Sequence, residues 1–142
     1  MVSPPGDDAR EAAAPRLLLA EDNKINQKLA LALLTRSGYS VDLAENGVQA
    51  VAATAERCYA LILMDMQMPE MDGLEATRQI RAGTGPNRTV PIVALTANAM
   101  QSDQAACRAA GMDDFLSKPF NRDALMACVA RWVAASSTRS AA

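Results

Sequence analysis

Histidine is absent from all 142 residues, and that removes whole classes of chemistry. A Ser-His-Asp or Cys-His catalytic set cannot be assembled. A His-ligated metal is ruled out, and the chain cannot itself carry a phosphohistidine. Cysteine is scarce: Cys58, Cys107 and Cys128 are odd in number, widely spaced and form no C-x-x-C. A zinc site or disulfide framework is therefore not expected, and the three read as small apolar residues on helices. No apolar stretch approaches the roughly 20 residues that cross a bilayer. The N-terminus carries prolines and acids where a signal peptide would be basic and then apolar. A cytoplasmic segment without membrane contact is expected. Basic excess is missing too: 14 Lys and Arg stand against 16 Asp and Glu, a net charge of −2, so a nucleic-acid partner is not expected. No G-x-x-x-x-G-K-[ST] occurs, and Gly83-Thr84-Gly85-Pro86 reads as a turn, not a phosphate cradle.

What is present is a chain that is 50% hydrophobic. That suffices for one domain burying roughly two-thirds of its unfolded surface. Residues 1–15, with Pro4, Pro5, Gly6 and Pro15, read as a flexible tail or linker, and 136–142 as a frayed tail. Between them, 16–135 alternates regularly. Strand-like runs lie near 16–20, 40–44, 60–64, 90–95 and 114–117, and helix-like segments near 24–37, 47–57, 74–82, 99–110 and 121–135. The first helix shows an apolar stripe of Ile25, Leu29, Leu33 and Leu34, with Gly38 as its C-cap. The last shows Leu125, Met126, Val129, Trp132 and Val133, with Trp132 as a core or rim residue. Five β-then-α units predict an α/β fold, a doubly wound parallel sheet with helices on both faces.

Four of the apolar runs stop at polar residues. Leu17-Leu18-Leu19-Ala20 ends in Glu21-Asp22, Leu61-Ile62-Leu63-Met64 in Asp65, Ile92-Val93-Ala94-Leu95 in Thr96, and Phe115-Leu116-Ser117 in Lys118-Pro119. In an open parallel sheet such stops line the carboxyl edge, where ligands bind. Three carboxylates, a hydroxyl and an ammonium would converge there. Two like charges at about 4 Å repel by roughly 4 kcal/mol at an effective dielectric of 20, so such a cluster raises a pKa or binds a cation. Hard oxygen donors without His or Cys suit Mg²⁺ or a similar ion such as Mn²⁺. Lys118 and Thr96 could hold phosphoryl oxygens, and Asp65 could be the nucleophile that becomes an acyl phosphate. Each piece alone has a blander reading: a solvated turn, a helix cap, a Lys-Pro turn. The combination, in this order, is what is specific.

These residues resemble a response-regulator receiver domain, the phosphoacceptor of two-component signalling. The likeness covers about 16–135. It rests on Ala20-Glu21-Asp22-Asn23, Met64-Asp65-Met66-Gln67-Met68-Pro69 with Gly73, Ala94-Leu95-Thr96-Ala97, and Phe115-Leu116-Ser117-Lys118-Pro119-Phe120. The resemblance implies a flavodoxin-like five-stranded sheet in order 2-1-3-4-5 with five helices. It implies Mg²⁺ held by Asp22, Asp65 and the backbone carbonyl of Gln67, with Glu21 acting through water. It also implies a switch made of Thr96 and the aromatic Phe115, a cis peptide at Lys118-Pro119, and phosphoryl lifetime tuned by Gln67 and Asn98. The donor would be the phosphohistidine of a histidine kinase or a histidine phosphotransfer protein, and the chain a monomer or weak dimer. It would not be an enzyme acting on an external substrate, but a signalling domain with self-phosphorylation and slow self-dephosphorylation chemistry.

The runs Glu21-Asp22-Asn23-Lys24-Ile25-Asn26-Gln27 and Gly111-Met112-Asp113-Asp114-Phe115 are most similar to receivers of hybrid sensor histidine kinases. The N-terminal segment would then be the linker from the kinase core, with no room for an output domain after Ala135. A stand-alone single-domain regulator acting by docking is the alternative, since the chain begins with Met1. A phosphotransfer partner would dock around Ile25, Asn26 and Leu29, although Leu29 is expected to serve the core. A dehalogenase-like phosphatase would need an acid two residues after its nucleophile, where Gln67 stands. A receiver kept only for docking would have lost Asp65 or Lys118. A flavodoxin-like cofactor binder would not place Glu21-Asp22-Asn23 where a phosphate must sit.

Overall fold

The computed structural model describes residues 15–83, 89–96, 101–117 and 121–141, with 101–104 and 135–141 described through their backbone. Five strands, β1 (Arg16–Ala20), β2 (Ser40–Ala44), β3 (Leu61–Asp65), β4 (Ile92–Thr96) and β5 (Asp114–Ser117), pair in parallel in the order β2-β1-β3-β4-β5. Five helices alternate with them: α1 (Lys24–Arg36), α2 (Gly47–Glu56), α3 (Gly73–Ala82), α4 (Gln101–Ala110) and α5 (Arg122–Ala141). This is the sheet order the resemblance implied.

The strands are buried on both faces, so they read as continuous apolar runs. Alternate residues serve different layers. Leu18, Ala20, Ile62, Met64, Ile92 and Ala94 pack with Ala50 of α2, Ala76 and Ile80 of α3, and Cys107 of α4. Leu17, Leu19, Leu61, Leu63, Val93 and Leu95 pack with Ala30 and Leu34 of α1 and with Leu125, Cys128 and Val129 of α5. Each fully buried leucine or isoleucine contributes about 1.5–3 kcal/mol, so the central strands anchor the carboxyl edge rigidly.

Helix starts are set by polar caps. Asn23 accepts from the amides of Ile25 and Asn26, Asn46 from Gln49, and Asp72 from Glu75, satisfying first-turn donors. Gly38 follows the Ser37 C-cap with φ +96°, the left-handed position expected of it.

Several expected details are corrected. The stripe of α1 does not face inward as a unit: Leu34 is buried and Leu33 partly so, but Ile25 is 76% and Leu29 41% exposed. The polar Gln27 takes the inward place, because its side chain donates to the Glu21 carbonyl at 2.6 Å. Asp65 is the last residue of β3 rather than the residue after it, in register with Leu95. β4 begins at Ile92, two residues later than expected, after Pro91, which has no N–H for the ladder. The last helix continues to Ala141, past the boundary expected at 135; no glycine or proline after Pro119 stops it. Cys58 is exposed in the segment after α2 and not on a helix, whereas Cys107 and Cys128 are buried.

Candidate metal and phosphoryl site

β1 and β3 are neighbours, with Ala20 opposite Met64, so Glu21 and Asp65 leave the sheet side by side. One carboxylate oxygen from each of Glu21, Asp22 and Asp65 can be chosen so that the three lie within 4.8 Å of one another. They differ in setting. Glu21 is 0% and Asp65 4% exposed, while Asp22 faces solvent. Glu21 is drawn under the loop: its Oε2 accepts from the Asn23 amide at 3.0 Å, and its carbonyl accepts from Gln27. Asp65 Oδ1 accepts from the Gln67 amide at 3.2 Å.

Two buried carboxylates and one exposed carboxylate at this spacing repel one another, and no histidine or cysteine joins them among the described residues. An all-oxygen donor set of this kind fits a hard divalent cation with room for water and phosphate oxygens. Glu21, Asp22 and Asp65 are the carboxylates that could hold such an ion.

Thr96 ends β4 and is 7% exposed, one strand away from Asp65. Phe115, in register with Ala94, is half-buried against the α2–α3–α4 layer. Its neighbour Asp114 points to the other layer. There it accepts from the Trp132 indole at 3.0 Å, lies 3.7 Å from the Arg131 guanidinium, and receives the Cys128 thiol at 3.9 Å. Burial and the Asp114 charge push the Cys128 thiol up to about 11. Lys118, Pro119 and Asn98 lie outside the described residues.

Sequence reasoning missed the supports. Gln27 carries the Glu21 carbonyl; an interior amide on an otherwise apolar face was the available signal. Gly47 and Gly73 were unremarked as supports, yet a Cβ on Gly73 would stand 2.2 Å from the Asp65 carbonyl oxygen, and one on Gly47 would stand 2.4 Å from that of Met71. At the opposite edge Arg81 gathers the β4 and β5 entries. It donates to the carbonyls of Gly111 (2.9 Å) and Val90 (2.6 Å) and to the Asp113 carboxylate (2.9 Å). Among the described residues no helix is long and apolar enough to cross a membrane.

Comparison with known proteins agrees with this geometry. A model of the response regulator receiver domain matches residues 17–130. The chain is 48% identical over 114 residues to hybrid signal transduction histidine kinase B of Dictyostelium discoideum, covering 73% of this chain but only 6% of that protein. The chain thus spans a small part of such curated relatives. The receiver domain of a sensor histidine kinase from Pseudomonas aeruginosa PAO1, solved with magnesium in its active-site cleft, superimposes with a TM-score of 0.79. It is 47% identical, covering 86% of this chain and 99% of that one. A receiver domain of Saccharomyces cerevisiae, co-crystallised with a histidine phosphotransfer signalling protein, gives a TM-score of 0.78 at 35% identity, covering 85% and 90%. A five-stranded 2-1-3-4-5 sheet with acids at its carboxyl edge, matched over 17–130, makes this chain a member of the response-regulator receiver domain family, a signalling domain of two-component systems.

Proposed function

We propose that Asp65 accepts a phosphoryl group from the phosphohistidine of a partner protein, in the presence of Mg²⁺, and that the domain then changes conformation through Thr96 and Phe115. The observation that carries this reading is the burial of Asp65 within 4.8 Å of two further carboxylates at the sheet's carboxyl edge. Three carboxylates gathered this closely at the end of buried strands serve no packing purpose, and a cation offsets their mutual repulsion. Asp22, Asp65 and the Gln67 carbonyl would hold the cation, with Glu21 acting through water. Bound there, the ion supplies positive charge against the oxygens of the transferring group.

The chain's own residues do the rest. An Asp65 carboxylate oxygen forms the new bond to phosphorus as the phosphorus–nitrogen bond of the donor breaks, and the donor imidazole leaves with that electron pair. The Thr96 hydroxyl and the Lys118 ammonium hold phosphoryl oxygens. Phe115 has no hydroxyl, so its inward rotamer is selected by packing rather than by a new hydrogen bond. The likeness to hybrid kinases supports a receiver of such a kinase as the context. A histidine phosphotransfer protein is the favoured partner. Ile25 and Leu29, exposed on α1 beside the acids, are the apolar anchors it would cover.

The test is intact-mass spectrometry after incubation with acetyl phosphate and Mg²⁺. One added phosphoryl group is expected on the wild type, and none on Asp65→Asn or in chelator. An adduct surviving in Asp65→Asn, or none from acetyl phosphate or a phosphorylated phosphotransfer protein, would overturn the reading.

A further inference from the structure

The β3–α3 loop, residues 66–72, is the segment that would bring the Gln67 carbonyl to the metal, and besides the Gln67 amide's bond to Asp65 it is shaped by contacts distant from the acids. At its end the Gly73 amide donates to the Met66 carbonyl at 3.1 Å. In its middle the Gly47 amide, at the start of α2, donates to the Met71 carbonyl at 3.0 Å, and the Asn46 side chain reaches Glu70 at 3.4 Å. Between these ties the chain reverses tightly, the Met71 amide donating to the Pro69 carbonyl at 2.7 Å. The reversal forces Glu70 to φ +69°, the one non-glycine residue at positive φ among the described residues.

An exposed glutamate gains nothing by itself from a left-handed backbone. Such strain persists where the surroundings over-determine it. Here the determinant is the Met71 carbonyl, drawn onto α2 at a point where only glycine leaves room: a Cβ on Gly47 would meet the Met71 oxygen at 2.4 Å and its Cγ at 2.8 Å. Glu70 stands three places after Gln67, whose amide donates to Asp65 Oδ1 at 3.2 Å, so the turn at Glu70 closes the far side of the same short loop that carries the Gln67 carbonyl.

We infer that Glu70 is a positioning residue for the divalent cation. Its left-handed turn, clasped by Gly47, sets the loop carbonyl at the distance the ion requires. The inference rests on the metal reading above.

The experiment compares two neutral replacements by titrating MgCl₂ calorimetrically. Both remove the Glu70 charge and its tie to Asn46, but they differ in backbone preference. Asparagine tolerates the left-handed region, whereas valine, being β-branched, does not. Glu70→Asn is expected to retain most of the wild-type Mg²⁺ affinity, and Glu70→Val to weaken it about 10-fold, as loss of a support behind a metal ligand does. The far-ultraviolet dichroism of both should match wild type. If the valine variant does not fold, Glu70→Ala, less averse to the left-handed region, is compared with Glu70→Asn instead. Equal dissociation constants in the folded pair overturn the positioning role. Wild-type protein that binds no Mg²⁺, or binds it equally after Asp22→Asn, sinks the metal reading itself and this inference with it.

Discussion

Asp65→Asn should make the metal-free protein more stable, not less. The substitution keeps shape and removes one negative charge from a cluster in which one oxygen of each carboxylate lies within 4.8 Å of the others. Two unit charges at that distance repel by about 3.5 kcal/mol at an effective dielectric of 20. The pair with buried Glu21 carries most of this, since Asp22 faces solvent and is screened. The Asn oxygen still accepts from the Gln67 amide, at a cost of about 1 kcal/mol for exchanging a charged acceptor for a neutral one. Allowing for solvent and nearby cations, the net gain is about 2 kcal/mol, or roughly 6 °C in Tm for a domain of this size. Mg²⁺ should reverse the order. At about 100 times its dissociation constant it adds about 2.7 kcal/mol to the wild type, and little to the variant that has lost a ligand. Thermal unfolding of both proteins, in EDTA and in MgCl₂, makes four curves. If Asp65→Asn in EDTA melts at or below wild type, the carboxylates are not in electrostatic conflict and the argument for a cation fails.

Arg81→Met should cost about 3 kcal/mol in denaturant unfolding, because the Val90 and Gly111 carbonyls and the Asp113 carboxylate lose one shared donor; Mg²⁺ affinity should not change, the site being at the other edge of the sheet. Cys58 should alkylate readily at pH 8. Cys128, with its thiol pushed up to about 11 from 9.0, holds about 100-fold less thiolate there and should react at least that much more slowly; rapid labelling of Cys128 in Cys58→Ser protein would contradict the burial. Because the folded Cys128 pKa lies above the unfolded one, its contribution to stability is present below pH 9 and lost as pH rises toward 11, so Cys128→Ala should flatten the alkaline fall in Tm. Ile25→Asp should slow phosphoryl exchange with a histidine phosphotransfer protein about 10-fold or more while leaving acetyl phosphate uptake intact; parallel losses in both assays would remove α1 as the docking face.

The reading of strands by apolar runs succeeded because central parallel strands are buried on both sides, so their polar stops are abrupt. Those stops align Glu21, Asp65 and Thr96 along one edge from the sequence alone. The helix α1 was harder. Helical spacing identifies a stripe but not which residues the stripe surrenders to solvent, so it points Leu29 inward and gives no sign of Gln27. The interior place of Gln27 depends on a bond to the Glu21 carbonyl, a tertiary contact with no local pattern. The same holds for Glu70, whose left-handed backbone is imposed by Gly47 from another element, and for Asp114, whose partners Trp132, Cys128 and Arg131 come from α5. Propensity is local, and these constraints are not.

The neighbouring placement of β1 and β3, strands separated in the chain by β2 and two helices, makes the acid cluster a product of the finished sheet. No contiguous segment could assemble it, and a collapsed chain with correct helices but wrong strand order would part Asp65 from the Glu21-Asp22 pair. Metal-dependent uptake of a phosphoryl group would therefore count native molecules one by one. A brief pulse of acetyl phosphate during refolding, or in a cell extract, would leave a mass tag on the correctly threaded fraction, and chemistry would serve as a census of topology.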